Sequence, residues 1–416
     1  MGQNSEKQTA SSNNGATRPG PLDGLVVADF SRVLAGPYCT MLLADLGATV
    51  IKVESPAGDE TRTWIPPERE GVSTYYLSIN RNKHAVVFDF NSADDLKLAR
   101  ELASRADIFI ENFKPGGLKR FGLDYDAIQQ INPGIIYASI SGFGTAGGAS
   151  LPGYDLIVQA MSGLMSLTGD PEGQPFRSGI SVFDVMTGLQ STIGILAALN
   201  HRNKTGEGQH VEISLFATAL SGLVNHTSAY VAGGVVPHRM GNAHPSLFPY
   251  EPLPTADLDI IIAAGNSGQF RKLCEALELP GLPDDPRFVR SEDRNRNREE
   301  LRPLLVERLR TRPAKEWFDR LTKLGVPCGP INTIEGGVKF AQEIGLNPIV
   351  EVGEGADMIP MIRHPLTFSR TPPRYVSPPP ALGQDSEEIR AWLSQPDYAP
   401  LENGSADSKK FQAQEQ

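Results

Sequence analysis

A strand–helix–strand alternation near the start restricts this chain more than any other feature. Leu25-Val-Val-Ala-Asp-Phe30 is a short apolar run with β-branched residues, the pattern of a strand buried on both faces. Gly36-Pro37 opens a helical pattern through Met41, Leu42, Leu43 and Leu46 that Gly47 closes, and Thr49-Val-Ile-Lys-Val53 is a second strand. Strand, helix and strand within about 30 residues make a βαβ unit, whose crossover forces the two strands to run parallel. The alternation continues with a strand at Ala85-Val-Val-Phe-Asp89, a helix over 94–105, and strands at Ile108-Phe-Ile110, 135–140 and 209–214. It predicts a doubly wound α/β domain with ligands bound at the C-terminal ends of the strands.

Residues 154–199 read as helical, except for an extended interruption at 179–183 that Asp184 follows directly; another helix is expected over 215–231. Composition shifts near Gly233-Gly234. A strand at 260–264, helices at 269–277 and 299–309, and proline-rich links at Pro280, Pro283 and Pro286 predict a second, smaller α/β domain. The expected organisation is a large domain over 21–224 that resumes at 326–400 and a small domain over 225–325, with polar disordered tails at 1–20 and 401–416. The prolines after Pro365 predict an extended segment lying over other surface. The length, 416 residues, fits two or three domains of roughly 150 residues each.

The net charge of −10 disfavours nucleic acid or an anionic membrane as a partner, so an anionic ligand would need a local basic cluster. No apolar run stands out as long enough to cross a bilayer, and residues 1–19 lack the apolar stretch of a signal peptide. Cys39, Cys274 and Cys328 are far apart and show no CxxC spacing, which disfavours a disulfide framework or a metal site and points to a reducing, cytoplasmic setting.

The loop after the first strand, Ser31-Arg-Val-Leu-Ala-Gly-Pro37, holds one glycine where a dinucleotide fingerprint needs three, so nicotinamide and flavin are disfavoured there. Arg32 sits where a strand gives way to a helix, which suits an anion, although a solvated charge explains it equally. Lys114, Lys119 and Arg120 form a second basic group after the 108–110 strand, with Pro115-Gly116 opening backbone N–H groups to an anion. Asp184 follows an apolar extended run and precedes the uncharged helical stretch 188–199. It reads either as an N-cap or as a carboxylate that attacks an activated acyl group from a helix N-terminus. No nucleophile elbow, HExxH or P-loop is present, and His244 is read as structural before it is read as a substrate contact.

Taken in order, Pro21-Leu-Asp-Gly-Leu-Val-Val-Ala-Asp-Phe30, Arg32-Val-Leu-Ala-Gly-Pro-Tyr38, Asp45-Leu-Gly-Ala-Thr-Val-Ile-Lys-Val-Glu54, Asn80-Arg-Asn-Lys83, Glu111-Asn-Phe-Lys-Pro-Gly116, Gly153-Tyr-Asp155, Ser162-Gly-Leu-Met-Ser-Leu-Thr-Gly169 and Lys204-Thr-Gly-Glu-Gly-Gln209 resemble the class III CoA-transferase family, the CaiB/BaiF type. The resemblance spans about 21–383. It implies a large Rossmann-like domain built from both chain ends, a small middle domain, and two chains interlocked as a homodimer. It places the nucleophile on Asp184. It places CoA contacts on Leu34, Ala35, Phe88, Asp89, Phe90, Asn91, Asn112, Phe113, Lys114, Arg120, Pro152, Gly153, Tyr154 and Asp155, to which the strand-end argument adds Arg32. One arginine that touches CoA in some relatives falls on Ser55.

The implied substrates are an acyl-CoA and a small carboxylic acid, with no permanently bound cofactor and no metal. The implied chemistry runs through an aspartyl anhydride and an aspartyl-CoA thioester, with backbone N–H groups near Gly241-Asn242 and Gly265-Asn-Ser-Gly268 as candidate oxyanion donors. The same fold hosts α-methylacyl-CoA racemases, but their catalytic histidine falls on Tyr154, a poor base at neutral pH. The closest likeness is to members that use succinyl-CoA and dicarboxylates, with Arg62 and Arg81 as candidates for the distal carboxylate or, alternatively, for structural ion pairs.

Overall fold

The computed structural model describes residues 19–395; of the tails expected at 1–20 and 401–416, residues 1–18 and 401–416 lie outside the described residues. The chain is mixed α/β. Its main sheet has six parallel strands: β1 (Val26–Asp29), β2 (Thr49–Glu54), β3 (Lys83–Val87), β4 (Ile108–Glu111), β5 (Ile136–Ser141) and β6 (Gln209–Ser214), in the order β3-β2-β1-β4-β5-β6. Each of the six falls on a run read as a strand from sequence.

The strand order reverses between β1 and β4, where Ala28 lies between Ile51 and Phe109. In open parallel sheets, that reversal leaves a crevice at the strand C-terminal ends. Helix α1 (Ala35–Asp45) follows β1, and of its residues only Tyr38 is not buried, as an apolar crossover helix requires. Helix α2 (Ala93–Arg105) starts from a Ser92 cap and shelters a core of Val86, Phe88, Leu102, Phe109 and Tyr137.

The chain divides into two compact units. Among the described residues, one holds 19–151, 184–215 and 349–395; the other holds 152–183 and 216–348. The sequence expectation had kept 152–183 with the large domain. The second unit carries an antiparallel three-stranded sheet of β7 (Tyr250–Pro254), β8 (Asp259–Ala263) and β9 (Cys328–Pro330), with β8 in the centre. Phe248, Ile262, Phe270, Leu305 and Trp317 fill its core.

Helix α3 (Val182–Thr205) takes in the last two residues of the expected extended run 179–183, so Asp184 lies inside it. By length and composition α3 is apolar enough to cross a membrane, contrary to the sequence reading. Its glycines seat it against the large unit: a Cβ on Gly188 would stand 2.7 Å from the Ala35 carbonyl oxygen, and one on Gly194 would stand 2.9 Å from Val211. The helix expected over 215–231 is two short ones, broken at Val224, whose φ is +40°.

The proline-rich return segment lies along the first unit, as its composition predicts. Asn82 accepts the Val376 and Ser377 N–H groups, and the Pro380 carbonyl accepts the Arg62 guanidinium and the Tyr76 hydroxyl. The edge of β3 is closed from the far end of the chain: Asp385 accepts the Ala85 N–H at 2.7 Å and Ser386 the Val87 N–H at 3.1 Å. The helix Ser386–Ser394, which was not anticipated, then adds Ile389, Trp392 and Leu393 to the core.

Candidate active site

Two loops leave the sheet where its order reverses. The loop after β1 carries Arg32, and the loop after β4 carries Asn112, Phe113 and Lys114. Asn112 brackets the Arg32 peptide: its Oδ1 accepts the Arg32 N–H at 3.0 Å and its Nδ2 donates to the Arg32 carbonyl at 2.7 Å. The Arg32 guanidinium lies 5.9 Å from the Phe113 ring centroid and pairs with Glu60 at 3.0 Å. Both partners are about half exposed, so the pair is worth only about 0–1 kcal/mol and another anion exchanges for Glu60 at little cost. Leu34 and Ala35 open α1 with no side-chain cap and no acidic residue in the first turn, which leaves its N–H groups to a ligand or water.

A second group lies after β3. Phe88 is a core residue, 2% exposed. Asp89 turns its carboxylate onto the Asn91 N–H and side-chain amide, both at 2.9 Å, and Asp95 accepts the Asp89 N–H. Phe90 packs on Phe121 (5.1 Å between centroids) and Phe30 (6.1 Å), and the Arg120 guanidinium covers Phe121 at 4.5 Å. Lys114 and Arg120 are exposed cations on a segment turned by the Gly117 N–H to Lys114 carbonyl bond.

Behind the loops lies a layer of buried charge that the sequence reading did not single out. Asp29 accepts Ser31 N–H and Oγ, Thr40 Oγ1 at 2.6 Å and Lys83 Nζ at 3.2 Å. Burial works against its charge, but Lys83, Lys52 and the two hydroxyls outweigh it and hold the carboxyl below its ordinary value. Lys52 bonds Asp59 at 2.8 Å and the Ser31 carbonyl at 3.2 Å. The available signal was a lysine set among Val50, Ile51 and Val53 in the strand Thr49–Glu54.

Arg62 and Arg81 belong to the same layer, which corrects their candidacy for a substrate carboxylate. Arg62 forks onto Glu54 at 2.6 and 2.8 Å, and Arg81 forks onto buried Asp45 at 2.6 and 2.9 Å. Glu111, at the end of β4, accepts the Phe113 N–H at 2.8 Å; burial pushes its carboxyl up to about 7, against the opposing pull of Ser139 and that N–H.

Asp184 is the third residue of α3 and half-buried, so it stands in the first turn and not at the N-cap. There the helix dipole favours its negative form. The residue before it is pinned: the Phe183 N–H donates to Asp155 Oδ1 at 2.8 Å, and Asp155 also accepts the Gln159 amide. Gln159 in turn holds the Ser178 N–H and the Ile180 carbonyl. Pro152, Gly153 and Tyr154, in the second unit, are exposed, while Asp155 is buried.

One turn beyond Asp184, the Gly188 approach to the Ala35 carbonyl brings the start of α3 against the start of α1. Two N–H groups of the candidate oxyanion loops have protein partners: that of Gly241 donates to the Gly169 carbonyl, and that of Asn266 to Gln269 in a capping box. His244 accepts the Ser246 N–H and packs against Tyr250, a structural role.

The model of CoA-transferase family III matches residues 22–386. The chain is 42% identical to a succinate–glutarate CoA-transferase from Agrobacterium fabrum, over 90% of this chain and 96% of that one. It is 39% identical to the human succinyl-CoA:glutarate CoA-transferase, over 89% and 85% of the two chains. A crystal structure of a CAIB/BAIF family protein from Brucella suis, 42% identical, superposes with a TM-score of 0.81 over 90% of this chain and all of the other. The reversed parallel sheet, the first loop with its single glycine and the carboxylate at the head of α3 thus sit in a chain that belongs to CoA-transferase family III.

Proposed function

We propose that this enzyme moves CoA from a dicarboxylic acyl-CoA, with succinyl-CoA as the leading donor, to a second dicarboxylate, and that Asp184 is its nucleophile. The observation that carries the reading is the placement of Asp184 in the first turn of a helix whose next turn meets the opening of α1. The relatives named for succinate, glutarate and mesaconate support the substrate class.

In the proposed cycle, the Asp184 carboxylate attacks the thioester carbonyl, forming a mixed anhydride and releasing CoA thiolate. The thiolate attacks the aspartyl carbonyl of the anhydride, freeing the donor acid and leaving an aspartyl-CoA thioester. The acceptor carboxylate displaces the thiolate to give a second anhydride. Attack of the thiolate on the acceptor's acyl carbon then releases the new thioester and restores Asp184. A carboxylate is a weak nucleophile, so positioning carries much of the rate. Arg32, Lys114 and Arg120 supply positive charge for the CoA phosphates, and Phe90 and Phe113 supply ring surface. Two copies of the chain are proposed to interlock; exposed Leu189, Ile193 and Leu196 on one face of α3, with Val231, Val235 and Val236, supply apolar surface for that contact.

The test is mass spectrometry after incubation with succinyl-CoA and quenching with hydroxylamine. Modification at Asp184 that is absent from Asp184→Ala supports the covalent route. A folded, CoA-binding wild type that forms no adduct, yet epimerises a 2-methylacyl-CoA without an acceptor acid, would replace the transferase with the racemase reading.

A further inference from the structure

The turn that opens α1 is held from outside, peptide by peptide. Asp29 accepts the Ser31 N–H at 3.0 Å, and Lys52 donates to the Ser31 carbonyl at 3.2 Å. Asn112 takes both polar groups of Arg32, at 3.0 and 2.7 Å. Asp59 faces the Val33 N–H with both carboxylate oxygens, at 3.3 and 3.4 Å. Three consecutive residues therefore have their main chain fixed by four side chains that come from β1, β2, the loop after β2 and the loop after β4.

What the clamps hold is a strained backbone. Val33 has φ of +71°, in the left-handed region where a β-branched side chain crowds its own carbonyl. Such a conformation persists only where its surroundings over-determine it, and it collects at functional sites. The Gly36 position adds to the constraint: a Cβ there would stand within 2.3 Å of Ser31 Oγ and Cβ, so the turn lies directly on α1.

We infer that Asn112 acts as a positioning residue for CoA, by locking the Arg32–Val33 peptides in the left-handed turn that presents Arg32 and the uncapped start of α1. This inference rests on the reading that the turn forms part of the CoA site. Both ends of the Asn112 amide bond the Arg32 main chain, so the contribution to CoA binding assigned to it runs through the turn. Asp59, anchored by Lys52, Thr61 and the Glu54 bond to its own N–H, is the second jaw.

A double-mutant cycle between Asn112 and Val33 separates the two roles. Glycine adopts positive φ without strain, so at position 33 it removes most of the need for a clamp. Asn112→Ala is expected to raise KM for succinyl-CoA about tenfold while kcat stays within about twofold, and in a Val33→Gly background the same change raises KM by no more than about threefold. Asn112→Asp, which keeps the acceptor and loses the donor, is run alongside in case the alanine variant folds poorly, with thermal melts on every protein. An equal rise in KM in both backgrounds overturns the positioning role in favour of direct ligand contact. No rise in either background sinks the placement of CoA on this turn, and the inference with it.

Discussion

Glu111 shows how a single carboxyl can tie the fold to pH. Its folded value is raised to about 7 from an ordinary 4.5, chiefly by burial. Between those two values the native chain holds a proton that the unfolded chain has released, so stability falls as pH rises through that window and is fully present only below it. Glu111→Gln keeps an acceptor for the Phe113 N–H and removes the titration. The expected outcome is a flatter dependence of the urea midpoint on pH between about 4.5 and 7 and a more stable variant above 7. An unchanged slope would mean that Glu111 is ionised throughout.

At this scale the sequence was readable where a residue's chemistry needs an uncommon local setting and opaque where the setting is tertiary. Asp184 could be placed near a helix start because an apolar extended run precedes it and an uncharged helix follows. Its exact turn could not, because the Phe183 N–H is satisfied by Asp155, a residue 28 positions earlier. For Arg62 and Arg81 the choice between a substrate carboxylate and a structural ion pair stayed open for the same reason: only the folded chain brings their guanidinium forks onto Glu54 and Asp45.

Among the elements, α3 has little tolerance at Gly188. The atom that a side chain at Gly188 would meet is the backbone carbonyl of Ala35, which has no rotamer to change. Gly188→Ala is expected to cost about 1–3 kcal/mol as overpacking, with part of the strain relieved by pushing the head of α3 away from α1. Because Asp184 is one turn away, the variant should lose kcat at saturating substrates beyond any loss in folded fraction. Full kcat in a merely destabilised protein would show that the contact is structural only. The six strands of the main sheet were legible because buried parallel strands are continuous apolar runs. The helix Ser386–Ser394 and the hairpin of Ile349–Val352 with Ile359–Ile362 were missed among prolines and glycines, where periodicity is too short to register.

For the whole molecule, the exposed apolar rows on α3 and around Val231–Val236 predict self-association. Sedimentation at micromolar concentration should give twice the monomer mass, and Ile193→Asp should shift the protein toward monomer. A monomeric wild type would leave those rows without an occupant and count against the interlocked pair.

The closure of β3 by Asp385 and Ser386 also bears on how the protein is made. Synthesis runs from the N-terminus, and domains tend to fold as they emerge. Here the sheet's first edge waits for its cover until nearly 300 further residues have left the ribosome. Throughout that interval β3 presents unpaired N–H groups, the template on which strands from other chains add. A nascent chain halted before residue 385 is therefore left with a formed but open-edged sheet, and its hazard is aggregation as much as lost activity.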